Sequence, residues 1–231
     1  TFTIVMPVYN EESIIERTVR DFTGQVLSLF DNAEMLVVDD HSSDNSVGIL
    51  SRLKQEHPRL QVLTNTLNRG HGPSLLAGIA RSKGELVLLM DSDYQIGPEA
   101  FSPLLTRYAG FNVVTARRTG RDDGAWRNVA SAAANAMLRL AGWSTVHDVN
   151  VPFKLFPGNT LRRLANNLPD ETLAPSTLLL MAAIKQGIRI DEVDVKHRRR
   201  PIGTTSLPGW RFLVFAGRAA REIFSFARQP R

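Results

Sequence analysis

The chain has 231 residues, 43% hydrophobic and 22% charged, which suits one globular unit with a sizeable core and excludes wholesale disorder. It has no cysteine, so disulfides, thiolate metal sites and cysteine nucleophiles are excluded. The net charge of +5 hides a gradient: 8 Lys/Arg against 14 Asp/Glu (−6) over residues 1–100, 11 against 8 (+3) over 101–195, and 9 against 1 (+8) over 196–231. An acidic front and a basic tail suggest a cation site and an anion site in one chain.

In chain order, Thr3–Val8 reads as a buried strand. The loop Tyr9–Ser13 follows, with Ser13 as a candidate cap for a helix over about 13–29 whose face carries Ile14, Ile15, Val19, Phe22 and Val26. Met35–Val38 is a second strand ending in Asp39-Asp40. A helix over 46–55, a strand over 60–64, the loop Asn68–Pro73 and a helix over 74–82 come next. Glu85–Met90 is a fourth strand that ends at Asp91-Ser92-Asp93. Such alternation predicts βαβ units and a parallel sheet, with polar clusters converging beyond the carboxyl ends of the strands. Beyond Phe101 the pattern loosens. A strand is expected over 111–115, a charged loop over 117–124, a helix over 126–140, a strand within 148–156, a helix over 170–186 and a strand over 188–195. No apolar run approaches the roughly 20 residues of a membrane span. The opening residues read as strand rather than signal peptide, so a cytoplasmic location is expected.

Asp91-Ser92-Asp93 with Gln95 offers hard oxygen donors on a tight turn, a set that suits Mg²⁺ or Mn²⁺ held with a diphosphate. Taken alone, the tripeptide reads equally well as a solvated acidic turn. Its context is more specific. Val5–Glu11, Val37–Asp44, Asn68–Gly72 and Met90–Gln95 stand in the order and spacing that resemble the inverting glycosyltransferases of family 2. The resemblance implies an α/β GT-A fold, with a Rossmann-like, mostly parallel sheet flanked by helices. It implies a nucleotide-sugar and metal half over 1–100, an acceptor half over 101–210 and a basic amphipathic helix over 211–231. It also implies that Pro7, Tyr9 and Glu11 line the nucleotide, that Asp39 or Asp40 contacts the base, and that Asn68, Gly70 and Asp91 belong to the same site. Asp91 and Asp93 would hold the metal, and Gln95 matches the extra ligand of the polyprenyl-phosphate hexose synthases. A dinucleotide-binding dehydrogenase is the rival. It requires G-x-G-x-x-G directly after the first strand, where this chain has Pro7-Val8-Tyr9-Asn10. His71 is read as loop structure.

Arg117, Arg118 and Arg121 crowd one segment, and Arg127 and Ser131 share a helix face at i, i+4. Alone they read as a solvated basic loop. By likeness to polyprenyl-phosphate mannose synthases they form the acceptor-phosphate site, with the choice between Arg117 and Arg118 open. A second basic run, His197–Ser206, resembles the family's mobile loop over the diphosphate. There Arg200, Gly203 and Thr205 match, Ser206 replaces the family's Lys, and Arg198 or Arg199 is a candidate for the missing charge. The implied catalytic set is Asp93, Arg117, Arg127 and Arg200.

An anionic acceptor needs little base, because a phosphate monoester is largely ionised at neutral pH. An alcohol acceptor needs a carboxylate base, for which Asp148 is best placed, then Asp170 and Glu171. The expected activity is transfer of a hexose, mannose from GDP-mannose first, to a polyprenyl or dolichyl phosphate. The expected partners are a GDP- or UDP-hexose and a lipid phosphate. A soluble acceptor with a carboxylate base, or a non-catalytic nucleotide-sugar-binding module, are the alternatives. No nucleic acid is expected, since there is neither a helix-turn-helix pattern nor an aromatic platform. The tail over 210–226 reads equally as a helix on an anionic membrane and as one packed on its own core.

Overall fold

The computed structural model describes residues 1–119, 146–198 and 209–229. Seven strands form one sheet: β1 (Phe2–Val8), β2 (Ala33–Asp39), β3 (Leu60–Thr64), β4 (Leu86–Leu89), β5 (Val113–Thr119), β6 (Lys154–Pro157) and β7 (Ile190–Lys196). Their order is β3-β2-β1-β4-β6-β5-β7. The first four are parallel, β6 runs antiparallel to β4 and β5, and β7 is again parallel to β5.

The helices are α1 (Ile15–Gln25), α2 (Ser46–Glu56), α3 (His71–Arg81), α4 (Phe101–Arg107), α5 (Gly158–Ala165), α6 (Pro175–Lys185) and α7 (Gly209–Arg228). The chain steps from β1 to β2 to β3 in one direction, then crosses back through α3 to β4 on the other side of β1. Right-handed crossovers therefore put α1 and α2 on one face and α3 on the other. The burial follows this division. Ile4, Met6 and Val8 of β1 pack with α1, α2 and α4 in one core, while Val5 packs with α3, α5 and α6 in a second. This alternation is the period-2 geometry of a strand covered on both faces. The reversal between β1 and β4 opens a crevice at the carboxyl ends, where ligands of open α/β sheets sit.

The face expected of the first helix is correct: Ile15, Val19 and Phe22 are wholly buried, each worth about 1.5–3 kcal/mol. Ser13 does not cap it. The helix opens at Ile14, whose N–H and that of Ile15 both bond the Glu11 carbonyl. α3 begins at His71, three residues before the expected start. The fifth strand departs most from expectation. It runs through Arg117 and Arg118, residues whose charge suggests a loop, because it pairs β7 along its whole length up to Thr119↔Lys196. Helix α5 has no counterpart among the expected elements. It begins at Gly158, directly after Pro157, and its Leu161, Leu164 and Ala165 lie on one buried stripe. The expected helix over 126–140 lies outside the described residues. Among the described residues, no helix is long and apolar enough to cross a membrane.

Candidate active site

The four parallel strands deliver their loops to one crevice, and each exit uses left-handed backbone: Asn10 (φ 54°) after β1, His41 (φ 62°) after β2, Gly70 (φ 95°) after β3 and Tyr94 (φ 59°) after β4. Three of these are not glycine. Such residues cluster where surrounding contacts over-determine the turn. The first two loops are stitched together. The Asn10 N–H donates to Ser42 Oγ (3.0 Å), the Ser43 N–H donates to Asn10 Oδ1 (2.8 Å) and the buried Glu11 donates its N–H to Ser46 Oγ (2.8 Å). Pro7 is buried in β1, and Tyr9 stands at the edge, 40% exposed.

The two adjacent carboxylates after β2 have different roles. Asp40 is a loop organiser. Its Oδ1 accepts from Asn65 Nδ2 (2.8 Å) and the Arg69 N–H (2.9 Å), its Oδ2 accepts from the Gly70 N–H (2.7 Å), and its carbonyl accepts from Asn68 Nδ2 (3.2 Å). Asn68 and Gly70 thus sit where Asp40 puts them. Asp39 is fully buried, its Oδ2 accepting from the Ser42 N–H (3.2 Å) while its Oδ1 has no hydrogen-bond partner. A buried acceptor without a donor is costly in a folded chain and marks a place for a ligand N–H. Between the two, Asp39 is the one with capacity left for a base.

Beyond β4, Asp91, Asp93 and Gln95 line one pocket together with Arg118, Pro152, Phe153 and His197. The Gln95 N–H donates to Asp93 Oδ1 at 3.1 Å, which fixes the turn. Asp91 Oδ1 is buried without a hydrogen bond, and His71 Nε2 stands 3.8 Å from it. His71, read as loop structure, is instead the first residue of α3, with its ring beside Asp91. Gly72 explains how α3 fits there: a Cβ would lie 1.7 Å from the Thr172 carbonyl oxygen. Among the described residues no cluster of three His, Cys, Asp or Glu side chains is placed to hold a metal. The donor set is instead two carboxylates and an amide oxygen, with one carboxylate oxygen unpaired. That composition fits a hard divalent cation which keeps part of its shell for phosphate oxygens and water.

On the opposite wall Arg117 and Arg118 are placed differently. As neighbours on a strand they point to opposite faces. Arg117 turns away and grips Asp194, Nη2 donating to Oδ2 at 2.7 Å; Arg118 lines the pocket. Arg118 and Asp148 form a nearly buried pair: Nε donates to Oδ2 (2.7 Å) and Nη2 to Oδ1 (2.9 Å), with side chains 11% and 9% exposed. Burial by itself raises the Asp148 carboxyl, but the Arg118 fork and nearby Lys154 hold it below the ordinary carboxylate range. Asp148 is thus an engaged counter-ion. Of the other base candidates, Asp170 is exposed, and Glu171 pairs with Arg69 at 3.0 Å.

Two residues of the site are not singled out by the sequence. His197, the first residue of the basic run and one past β7, lines the pocket, where the register of β7 puts it. Lys154 is completely buried beneath the site, donating to the Val149 carbonyl (3.2 Å), the Val151 carbonyl and Ser176 Oγ (2.7 Å). Burial pushes its ammonium down to about 7. Arg121, Arg127, Ser131, Arg199, Arg200, Gly203, Thr205 and Ser206 lie outside the described residues.

The chain is similar to known proteins in sequence and in fold. A model of glycosyl transferase family 2 matches residues 3–169. An undecaprenyl-phosphate 4-deoxy-4-formamido-L-arabinose transferase from Pseudomonas aeruginosa is 31% identical over 216 residues, covering 91% of this chain and 61% of the relative. The same-named protein from Photorhabdus laumondii is 29% identical over 203 residues, covering 87% and 61%. The chain thus spans about three fifths of the length of these relatives. Among solved structures, glucosyl-3-phosphoglycerate synthase from Mycobacterium tuberculosis, in complex with phosphoglyceric acid, matches with a TM-score of 0.76 at 19% identity, covering 100% of this chain and 81% of the other. A mannosyltransferase from Pyrobaculum calidifontis, in complex with GDP-mannose and Mn²⁺, matches with a TM-score of 0.71 at 19% identity, covering 100% and 65%. The fold is GT-A, as expected.

Proposed function

Because the chain belongs to glycosyl transferase family 2, we propose that it moves a sugar from a nucleoside diphosphate to a polyprenyl phosphate, with inversion at the anomeric carbon. One observation carries the reading: Asp91, Asp93 and Gln95 face Arg118 across a single pocket, and the carboxylate beside that arginine is already engaged. An acceptor that arrives as an anion needs the first wall and the arginine. An alcohol acceptor needs a carboxylate free to take a proton, which Asp148 is not.

In this reading Asp39 Oδ1 takes an N–H of the base, which suits uracil or guanine, and Tyr9 and Glu11 flank the nucleoside. Asp91, Asp93 and Gln95 would hold Mg²⁺ or Mn²⁺, which when bound neutralises charge on the leaving diphosphate. Arg118 orients the acceptor phosphate, presenting the guanidinium edge that Asp148 leaves uncovered. Catalysis is then positioning plus charge compensation, with no proton to abstract. The family resemblance assigns the further acceptor and diphosphate roles to Arg127, Ser131 and Arg200, which lie outside the described residues. Mannose from GDP-mannose is the donor favoured by sequence. The relatives' names point instead to an amino-arabinose-type sugar, so the class of donor proposed is a nucleoside diphosphate pyranose.

The C-terminal helix supports contact with the membrane that carries such a lipid. Ile223, Phe226 and Ala227 of α7 pack on the core, while Phe215, Arg218, Arg221, Phe224 and Arg228 are exposed. The test is a panel of UDP- and GDP-sugars incubated with the protein, Mn²⁺ and undecaprenyl phosphate. A glycosyl-phosphoryl lipid formed from one donor and abolished by EDTA is the expected result. No product from any donor would overturn the reading.

A further inference from the structure

Arg198 follows His197 at the end of β7, and its charge makes it a natural candidate for a phosphate contact. Its actual partners are elsewhere. Its N–H donates to the Gln95 carbonyl at 2.8 Å, and Nη2 donates to Glu99 Oε1 at 2.7 Å. Its Cζ lies 5.2 Å from the centroid of the Tyr94 ring. Gly97 leaves the space for this: a Cβ there would lie 2.9 Å from Arg198 Cζ and 2.3 Å from Glu99 Oε2.

The ring that receives Arg198 is itself fixed. Tyr94 is buried, its hydroxyl donates to Asp21 of α1, and Arg17 lies over the ring at 4.5 Å. Its backbone is left-handed, which a bulky residue adopts only where contacts hold it. So the residue between Asp93 and Gln95 is anchored to α1 below and covered by Arg198.

We propose that Arg198 is a positioning residue, a clasp that ties the end of β7 to the Asp91–Gln95 turn and sets the distance between the two walls of the pocket. Gln95 and His197, the neighbours on either side of the N–H bond, both line that pocket. With the clasp open, the carboxylate wall and the β7 wall no longer share one fixed geometry, so a ligand held by both binds less well. The inference rests on the nucleoside diphosphate reading of the site.

Glu99 separates a clasp from a phosphate ligand. If Arg198 is a clasp, Glu99→Gln opens it and reproduces Arg198→Ala. If Arg198 meets the diphosphate directly, Glu99→Gln frees the guanidinium and leaves binding unchanged or tighter. Calorimetric titration of UDP and GDP with Mn²⁺ is the measurement. Wild type is expected to bind one of them, and each variant to bind it about three- to tenfold more weakly, the scale of removing an exposed ion pair together with a cation–π interaction. Arg198→Lys, which keeps the ion pair but not the planar stack, is expected to fall between. The double variant Arg198→Ala/Glu99→Gln should be no weaker than either single one. Glu99 is half exposed, so its variant folds even where Arg198→Ala melts early. Weakening by Arg198→Ala alone, or by neither, overturns the clasp while the site reading stands. Failure of wild type to bind either nucleotide overturns the site reading and the clasp with it.

Discussion

The two walls of the pocket hold their charges by different means. On the wall built by β1–β4, the two carboxylates after β2 accept from uncharged donors: Asp40 from two main-chain N–H groups and an amide, Asp39 from the Ser42 N–H. On the side built by β5–β7, both arginines of β5 are held by carboxylates: Arg118, in the pocket, by Asp148, and Arg117, on the other face of the strand, by Asp194. Neutral donors fix a carboxylate without cancelling it, so the first wall keeps negative charge for a cation. Counter-ions fix an arginine by cancelling it, so the second wall offers direction more than net charge. In the proposed reading the first wall serves a cation and the second orients the acceptor.

The largest break in this contrast is Asp93→Ala. It removes a charge that nothing nearby replaces, and transfer should fall by roughly 10³-fold or more in an initial-rate assay. Next come the paired arginines. Arg118→Ala strands a carboxylate that is almost fully buried and should cost about 3–5 kcal/mol, lowering Tm by roughly 10 °C. Arg117→Ala removes an exposed pair and should leave Tm nearly unchanged. Equal effects in calorimetry would erase the distinction between the strand faces. Asp40→Asn places an amide N–H against main-chain donors. It should cost about 1–3 kcal/mol and weaken nucleotide binding, since Asn68 and Gly70 lose their anchor.

Lys154 sharpens the contrast with a pH signature. Its folded-state pKa is lowered to about 7, against about 10.4 for an unfolded lysine. Below pH 7 both states hold the proton and the cost of burying the charge is present in full. Between about 7 and 10.4 the unfolded chain holds more protons, so stability rises with pH. Lys154→Met should flatten that rise in Tm measured between pH 7 and 10, while a slope equal to wild type would show that the ammonium is not desolvated.

The first wall was legible because its chemistry is contiguous. Asp91-Ser92-Asp93 and Gln95 fall on one turn, and Asn68–Gly70 on another, so short strings name them. Which of Asp39 and Asp40 keeps a free oxygen was not legible, since it depends on Asn65, Arg69 and Gly70 coming back across the crevice. The second wall is assembled from long-range pairs. Arg118 and Asp148 are thirty residues apart. Arg117 and Arg118 look like a loop because they are charged, yet cross-strand pairing of Arg117 with Asp194 makes charge compatible with a strand. His197 owes its place to β7 register, and Lys154 was hidden inside an apolar run that reads as an ordinary buried strand.

The proposed site serves an acceptor already carrying its nucleophilic charge. Comparing undecaprenyl phosphate with undecaprenol, under one donor and Mn²⁺, tests it most directly. Sugar should pass to the phosphate and not to the alcohol, at a rate that rises through about pH 6, the second pKa of a phosphate monoester, and levels off about one unit above it. Transfer to the alcohol at a comparable rate, lost in Asp148→Asn, would make Asp148 a base and contradict the account.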